Sequence, residues 1–364
     1  MSEIRQAQVV AFYLFDVAES VELAAVSTVI GKPIVTARLA PKPPTPRYVQ
    51  YGTPPISFDG ELVQAGTLGD FHVRYRVYDY GVLSVALTRP VAGSWDELVA
   101  VGQSLIENDA LERQAEALCR QVLGRLRPAM TGHRDTHLRE DYVVYVVSGL
   151  ERPLSAADLL TTRGSEIAAM VRGERQALSE QERTHILQHA ISYLADDLVV
   201  PSWNAAFVYD TPAGAQAALE IIEFANSQLL QFRYYDERLD TELAAIYAAV
   251  QKPRWYDQWV GSRYTRAARQ VHALYIDINE VTDRTVNTLK FTGDIYAARL
   301  FSLVGDRLGL AAWKGDVEAK LKTLDDVYRF TVEQSNMARG RVLELAVVLI
   351  LVFELLLLLA GLMP

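Results

Sequence analysis

The sequence predicts an α+β protein: a mixed sheet with helices in an N-terminal body, then long C-terminal helices in a coiled-coil-like hairpin stalk that ends in a single transmembrane helix. Three observations predict it. Up to about residue 210, short apolar or alternating runs bounded by turn residues are interspersed with helix caps. From Thr211 onward, apolar residues step by fours and threes, the spacing of a helical seam. Residues 345–363 read LAVVLILVFELLLLLAGLM, apolar throughout except for Glu354. The domain boundaries expected are 1–210 for the body, in two βα-type halves of about 1–130 and 141–210, then 211–344 for the stalk and 345–363 for the anchor.

Residues 9–15 (VVAFYLF) read as a buried strand. Asp16 and Ser20 are placed to cap a helix over 21–30, which Gly31 ends. Pro41, Pro43, Pro44, Pro46, Pro54 and Pro55 make the next stretch an extended connection. Residues 71–77 (FHVRYRV) alternate as a half-buried strand does, 78–81 (YDYG) form a turn and 82–88 supply the partner, giving a hairpin. Ser94 and Glu97 make a capping box for a helix carrying Leu98, Val101, Leu105, Leu111 and Leu118. Cys119 falls mid-helix on its core face. Residues 142–147 (YVVYVV) are the next strand. Ser179 and Glu182 open a second capped helix to about Leu194, and short strands follow at 198–200 and 205–209, separated by Pro201.

Pro212 suits the first position of a long helix through Ile221, Phe224, Leu229, Phe232 and Leu239 to about Val250, with Pro253 as its stop. A second long helix begins near Ser262, with Ala267, Val271, Leu274, Ile278 and Val281 as its seam. Gly305 and Gly309 mark a break. The last helix starts near Trp313, and its register of Val317, Leu321, Leu324, Tyr328 and Thr331 continues to Leu345.

At ~1.5 Å per residue, 345–363 would be roughly 28 Å long, close to the hydrocarbon thickness of a bilayer. Lipid is therefore an expected partner. Arg339 and Arg341 before the run put the body on the cytoplasmic side of a single-pass inner-membrane protein. A carboxylate inside such a span needs a partner, so Glu354, flanked upstream by Arg341 and Glu344, marks a membrane-assembly contact, and the chain is expected to form a homo-oligomer. The single cysteine excludes an internal disulfide framework. A net charge of −9 argues against bulk nucleic-acid binding, which leaves a basic footprint.

The second half carries ordered strings: Asp197-Leu198-Val199-Val200-Pro201, Asn226 through Asp236 (NSQLLQFRYYD), Leu274-Tyr275-Ile276-Asp277, Asp294-Ile295-Tyr296-Ala297, Trp313, Lys320-Leu321 to Tyr328, and Arg341-Val342-Leu343-Glu344 before Phe353-Glu354. Over residues 193–363 this order resembles the "required for meiotic nuclear division" family and its YagE-like bacterial relatives. The resemblance implies a membrane protein that forms high-order assemblies and supports membrane-associated translation, with a membrane-protein or ribosome partner.

Signs of chemistry are sparse. There is no Walker loop, no Gly-x-Gly-x-x-Gly after a strand and no nucleophile elbow, so no cofactor is expected. Glu182, His185 and His189 share a helix face and are a candidate metal site, the basis of an alternative reading as a metal-dependent enzyme. His133 and His137 form a second His pair, and Asp196 and Asp197 a carboxylate pair. Arg254, Trp255, Tyr256, Trp259, Arg263, Tyr264, Arg266 and Arg269 interleave cations with rings, a pattern suited to RNA or another anionic partner. The leading expectation is a non-enzymatic, self-assembling scaffold or tether.

Overall fold

A computed structural model describes residues 4–31, 33, 35–36, 54–106, 108–134, 138–174, 176–251 and 295–359. The helix expected from Ser262, the prolines at 41–46, His137, and the whole Arg254–Arg269 patch lie outside the described residues.

The chain divides into two units. Unit one comprises Met1–Tyr234 and Asp283–Trp313 and carries the sheets. Its centre is β1 (Ile4–Asp16), antiparallel to β7 (Val82–Gly93) on one side and to β9 (Arg139–Leu150) on the other. Beyond β7 come β6 (Asp70–Val77), β4 (Ile56–Asp59) and β3 (Val35–Thr36), and β5 (Val63–Gln64) also pairs with β6. Beyond β9 lie β11 (Ala205–Tyr209), parallel to it, and β10 (Leu198–Pro201) at the edge. Pro201 is therefore inside β10 rather than between strands, which an edge strand tolerates because an outward position needs no amide donor. Strands β2 (Ala18–Val21) and β8 (Met130–His133) pair separately.

The expected hairpin is present, with β6 and β7 in antiparallel register across the 78–81 turn. Gly81 holds φ 86° there, and a Cβ on it would sit 1.8 Å from the Ala18 carbonyl oxygen. The helix expected over 21–30 is shorter. Val21 belongs to β2, and α1 (Leu23–Ile30) begins after Glu22 without a side-chain cap, ending at left-handed Gly31. Asp16 does not cap it, because its carboxylate is buried elsewhere. The helix opened by Ser94 is two helices: α2 (Trp95–Leu105) and α3 (Asp109–Leu126). Ile106 is extended, and Asn108 restarts the chain by accepting from the Ala110 and Leu111 amides.

A helix not anticipated, α4 (Ala156–Arg172), is capped by Ser155 and closed by left-handed Gly173. The helix after Ser179, α5 (Glu180–Leu187), stops well before Leu194. Asp197 accepts the Tyr193 and Leu194 amides and turns the chain there. Helix α6 (Pro212–Gln251) matches its expected span. Helices α7 (Ile295–Leu308) and α8 (Leu310–Leu359) divide at Gly309, φ 69°, whereas Gly305 is buried inside α7.

Both faces of the sheet are covered, which explains why β1 is a near-continuous apolar run rather than an alternating one. Val9, Ala11, Tyr13 and Phe15 face a core completed by Leu98, Leu105, Cys119 and Leu159 from α2, α3 and α4. Cys119 is buried as expected, and burial pushes its thiol up to about 12. The opposite face lies under α6 and α7.

Unit two holds Tyr235–Thr282 and Lys314–Pro364. Within it Val317, Leu321, Leu324 and Leu239 are buried, so the first steps of the expected seam on α8 are real packing positions. Lys320 Nζ lies 2.7 Å from Asp236 and 2.6 Å from Asp240.

The transmembrane expectation is corrected. No helix among the described residues is long and apolar enough to cross a membrane. The expectation of a tail-anchored protein with a transmembrane helix is therefore overturned for the described residues.

Candidate functional site

The most unusual chemistry in the described residues is a buried polar seam where α6 crosses the sheet. Its sheet half follows from register. Arg76 on β6 is opposite Ser57 on β4 and Ser84 on β7, a polar row across three strands. Its helix half follows from period. Gln216, Glu220, Glu223, Ser227 and Gln231 step by four, three, four and four, which puts them on one face of α6.

The two halves meet closely. Arg76 is 2% exposed, and its Nη2 lies 3.2 Å from Glu220 Oε1 while its Nη1 lies 2.8 Å from Glu223 Oε2. Its Nε donates to Ser57 Oγ at 2.9 Å. Arg74 Nη1 donates to Gln216 Oε1 at 3.3 Å, and Gln216 Nε2 donates to Glu220 Oε1 at 3.1 Å. Two carboxylates thus share one guanidinium in the interior. Glu223, 1% exposed, keeps Oε1 without a hydrogen-bond partner among the described residues, and so does the Ser84 hydroxyl. Such a cluster is strongly held only while every charge keeps its partner.

The seam continues along α6. The hydroxyls of Tyr80 and Ser227 are 2.6 Å apart. Gln231 Nε2 donates to Asp16 Oδ1 at 3.0 Å, and Arg134 Nη1 reaches the same oxygen at 2.7 Å. The Arg134 guanidinium also lies 3.8 Å from the centre of the Tyr234 ring. Arg233 pairs with Glu140. Burial raises the Glu140 carboxyl above its ordinary range, and Arg233 opposes that rise. The NSQLLQFRYYD string therefore includes docking groups, with Ser227 and Gln231 buried and Arg233 and Tyr234 half-buried, that all meet the sheet side.

The residues singled out from sequence fall elsewhere. Glu182 lies 3.4 Å from Arg172 Nε, and Gln188 Nε2 is 2.9 Å from His185 Nδ1 and 3.3 Å from His189 Nε2. The two imidazoles stand edge to face, 5.5 Å apart, with His189 beyond the end of α5. Burial lowers the His189 pKa, helped by Arg307 and His185. No group of three or more His, Cys, Asp or Glu placed to hold a metal exists among the described residues. His133 is exposed on β8. Asp196 is exposed, and Asp197 is consumed by its turn. Glu344 is exposed on α8, while the side chains of Arg341 and Glu354 lie outside the described residues, as do Arg254, Trp255, Trp259, Arg263, Arg266 and Arg269.

Arg76, Glu220 and Glu223 were not anticipated. Their signal was present in two pieces, the arginines alternating in FHVRYRV and the acid and amide spacing on α6, each of which reads alone as a solvent face.

Residues 6–216 match the family described as "Uncharacterized protein MJ0711, N-terminal domain", more than half of the chain, and the protein belongs to that family. The chain is also 24% identical over 224 residues to "Uncharacterized protein MJ0711" of Methanocaldococcus jannaschii, covering 61% of this chain and 66% of the relative. The match thus spans slightly less than two thirds of the relative's length. No solved structure matches. These findings place the chain in an uncharacterised family, through its first half, and do not carry the "meiotic" or YagE name suggested by residues 193–363.

Proposed function

We propose that this member of the MJ0711 N-terminal-domain family is a non-enzymatic scaffold that assembles with further copies of itself through the distal part of α8. One observation carries the reading. Residues 347–353 are consecutive, apolar and exposed, from 46% at Val352 to 62% at Phe353, and Leu356 continues the surface at 58%. At about 100° per residue, seven successive positions cover every side of a helix. A helix apolar all round belongs in an interior, and an exposed apolar surface of this kind marks an interaction site. A single amphipathic partner would cover one stripe only. Copies of the same helix bring matching apolar surface to all sides, so self-association is the simplest way to cover it. The order of motifs over 193–363, similar to the "required for meiotic nuclear division" family and so implying high-order assembly, supports the same reading.

The test is light-scattering mass determination of the full chain over a concentration series. A multiple of 40.6 kDa is expected for the native sequence, and 40.6 kDa for Val348→Asp combined with Leu351→Asp. A native chain that stays at 40.6 kDa at every concentration refutes the proposal.

A further inference from the structure

The end of α5 carries two imidazoles aimed at one point. Gln188 Nε2 lies 2.9 Å from His185 Nδ1 and 3.3 Å from His189 Nε2. An amide nitrogen only donates, so both ring nitrogens accept, and each directs a lone pair at the same atom. The rings stand edge to face with their centres 5.5 Å apart. Two imidazoles bound side by side to one ion, through bonds of about 2.0–2.1 Å, have ring centres roughly 4.5–5.3 Å apart. The observed separation lies just outside that range. A small side-chain rotation therefore brings both nitrogens onto an ion at the point the amide now fills.

The backbone holds both histidines in place. The Gln188 amide donates to the Thr184 carbonyl at 3.0 Å, the His189 amide to Ile186 at 3.2 Å and the Ala190 amide to Leu187 at 3.0 Å. Ile186 anchors this turn in the core. Two residues after His189, Ile191 and Val199 exchange backbone hydrogen bonds of 2.9 Å, which pins the chain to β10. His185 and Gln188 are exposed and His189 is half-buried, so an ion reaches them from solvent.

The donor set selects the ion. Glu182, which shares the helix face, lies 3.4 Å from Arg172 Nε instead of joining the rings. A half-turn of the exposed Gln188 amide replaces Nε2 with Oε1, an acceptor. Two imidazoles and one amide oxygen are fewer than the four protein ligands of a closed zinc site. They suit an ion that takes mixed nitrogen and oxygen donors in tetragonal geometry, with water completing its shell. Cu(II) is the divalent first-row ion that binds such donors most strongly.

We propose that His185 and His189 hold a Cu(II) ion, with Gln188 Oε1 and water as its remaining ligands. This site is independent of the distal α8 surface, since every residue it uses belongs to unit one.

The test is titration of the full chain with copper(II) sulfate in a non-coordinating buffer, read by calorimetry and by electron paramagnetic resonance. One equivalent is expected to be bound at about 100 µM, with nitrogen coupling in the spectrum. His185→Gln and His189→Gln should each weaken binding at least tenfold and reduce the nitrogen coupling, in protein whose circular dichroism matches the native chain. His133→Gln, on exposed β8, should leave both readouts unchanged. Zinc sulfate should bind more weakly than the copper salt. No saturation by copper at about 100 µM overturns the proposal. So does binding that survives His185→Gln combined with His189→Gln, binding that is lost with His133→Gln, or zinc that binds more tightly than copper.

Discussion

Replacing Arg76 with methionine tests the buried seam directly. The substitution keeps an unbranched apolar stem of similar length and removes the charge, so packing changes little while the two carboxylates lose their counter-charge. Arg76 serves Glu220 at 3.2 Å, Glu223 at 2.8 Å and Ser57 at 2.9 Å, and all four residues are under a tenth exposed. Removing one partner of a buried pair costs about 3–5 kcal/mol, because the charge left behind has neither water nor a counter-ion. Here two carboxylates are stranded at once, which places the expectation at about 4–5 kcal/mol. Against a total stability of roughly 5–15 kcal/mol that is a large share. With a urea slope of about 2–3 kcal/mol per molar, the unfolding midpoint read by fluorescence should fall by roughly 1.5–2.5 M. Adding Glu223→Gln should return at least half of the loss, since the amide needs no counter-charge, and the coupling between the two changes measures the pair. A loss under about 1 kcal/mol for Arg76→Met, or no recovery in the double variant, would mean that the cluster is solvated and that α6 is not docked through it.

Two further predictions concern the same body. Gly102→Ala would put a Cβ 1.8 Å from Tyr145 Cε1, on a ring that is fully buried, so overpacking should cost about 2–3 kcal/mol and lower the melting temperature by roughly 5–10 °C. An unchanged melting temperature would show that α2 does not rest on that ring. Glu140 has its pKa raised in the folded state, so its protonated form stabilises the fold below about pH 4.3, the ordinary glutamate value, and that contribution is lost as pH rises through the folded pKa. Glu140→Gln cannot titrate, so its stability relative to the native chain should improve between about pH 4 and pH 7 in urea titrations, and a decline would refute the assignment.

The parts of this fold that were legible in the sequence are those whose signal is local. FHVRYRV and the YDYG turn announce a hairpin because strand period and turn chemistry lie within a dozen residues. Ser94 and Ser179 announce helix starts because the cap bond spans three residues, and the structure shows both serines accepting from the third amide beyond. Ser155 does the same for α4, accepting from Asp158, yet there the acid at the third position is Asp rather than Glu and the apolar stripe behind it is thin. Helix ends were harder. Helix α5 ends at Leu187 rather than Leu194, and the chain beyond is held by Asp197, which captures the Tyr193 and Leu194 amides, a contact no helix propensity encodes. The parallel pairing of β11 with β9 likewise joins residues some sixty positions apart.

The seam failed to show for a deeper reason. An arginine on an alternating strand and a glutamate on the polar side of a helix each satisfy the rule that charge faces water. When the two faces meet, both assignments are wrong together, and nothing in either segment alone reveals it. What that arrangement supplies is specificity of docking rather than stability. Apolar faces slide by a turn at small penalty, whereas shifting α6 by one turn would move Glu223 about 5.4 Å along its axis and strand Arg76, Glu220 and Glu223 together. The row from Gln216 to Gln231 therefore fixes the register of α6 on the sheet. Five polar residues facing the sheet define the register of α6 on it more sharply than an apolar face of equal area.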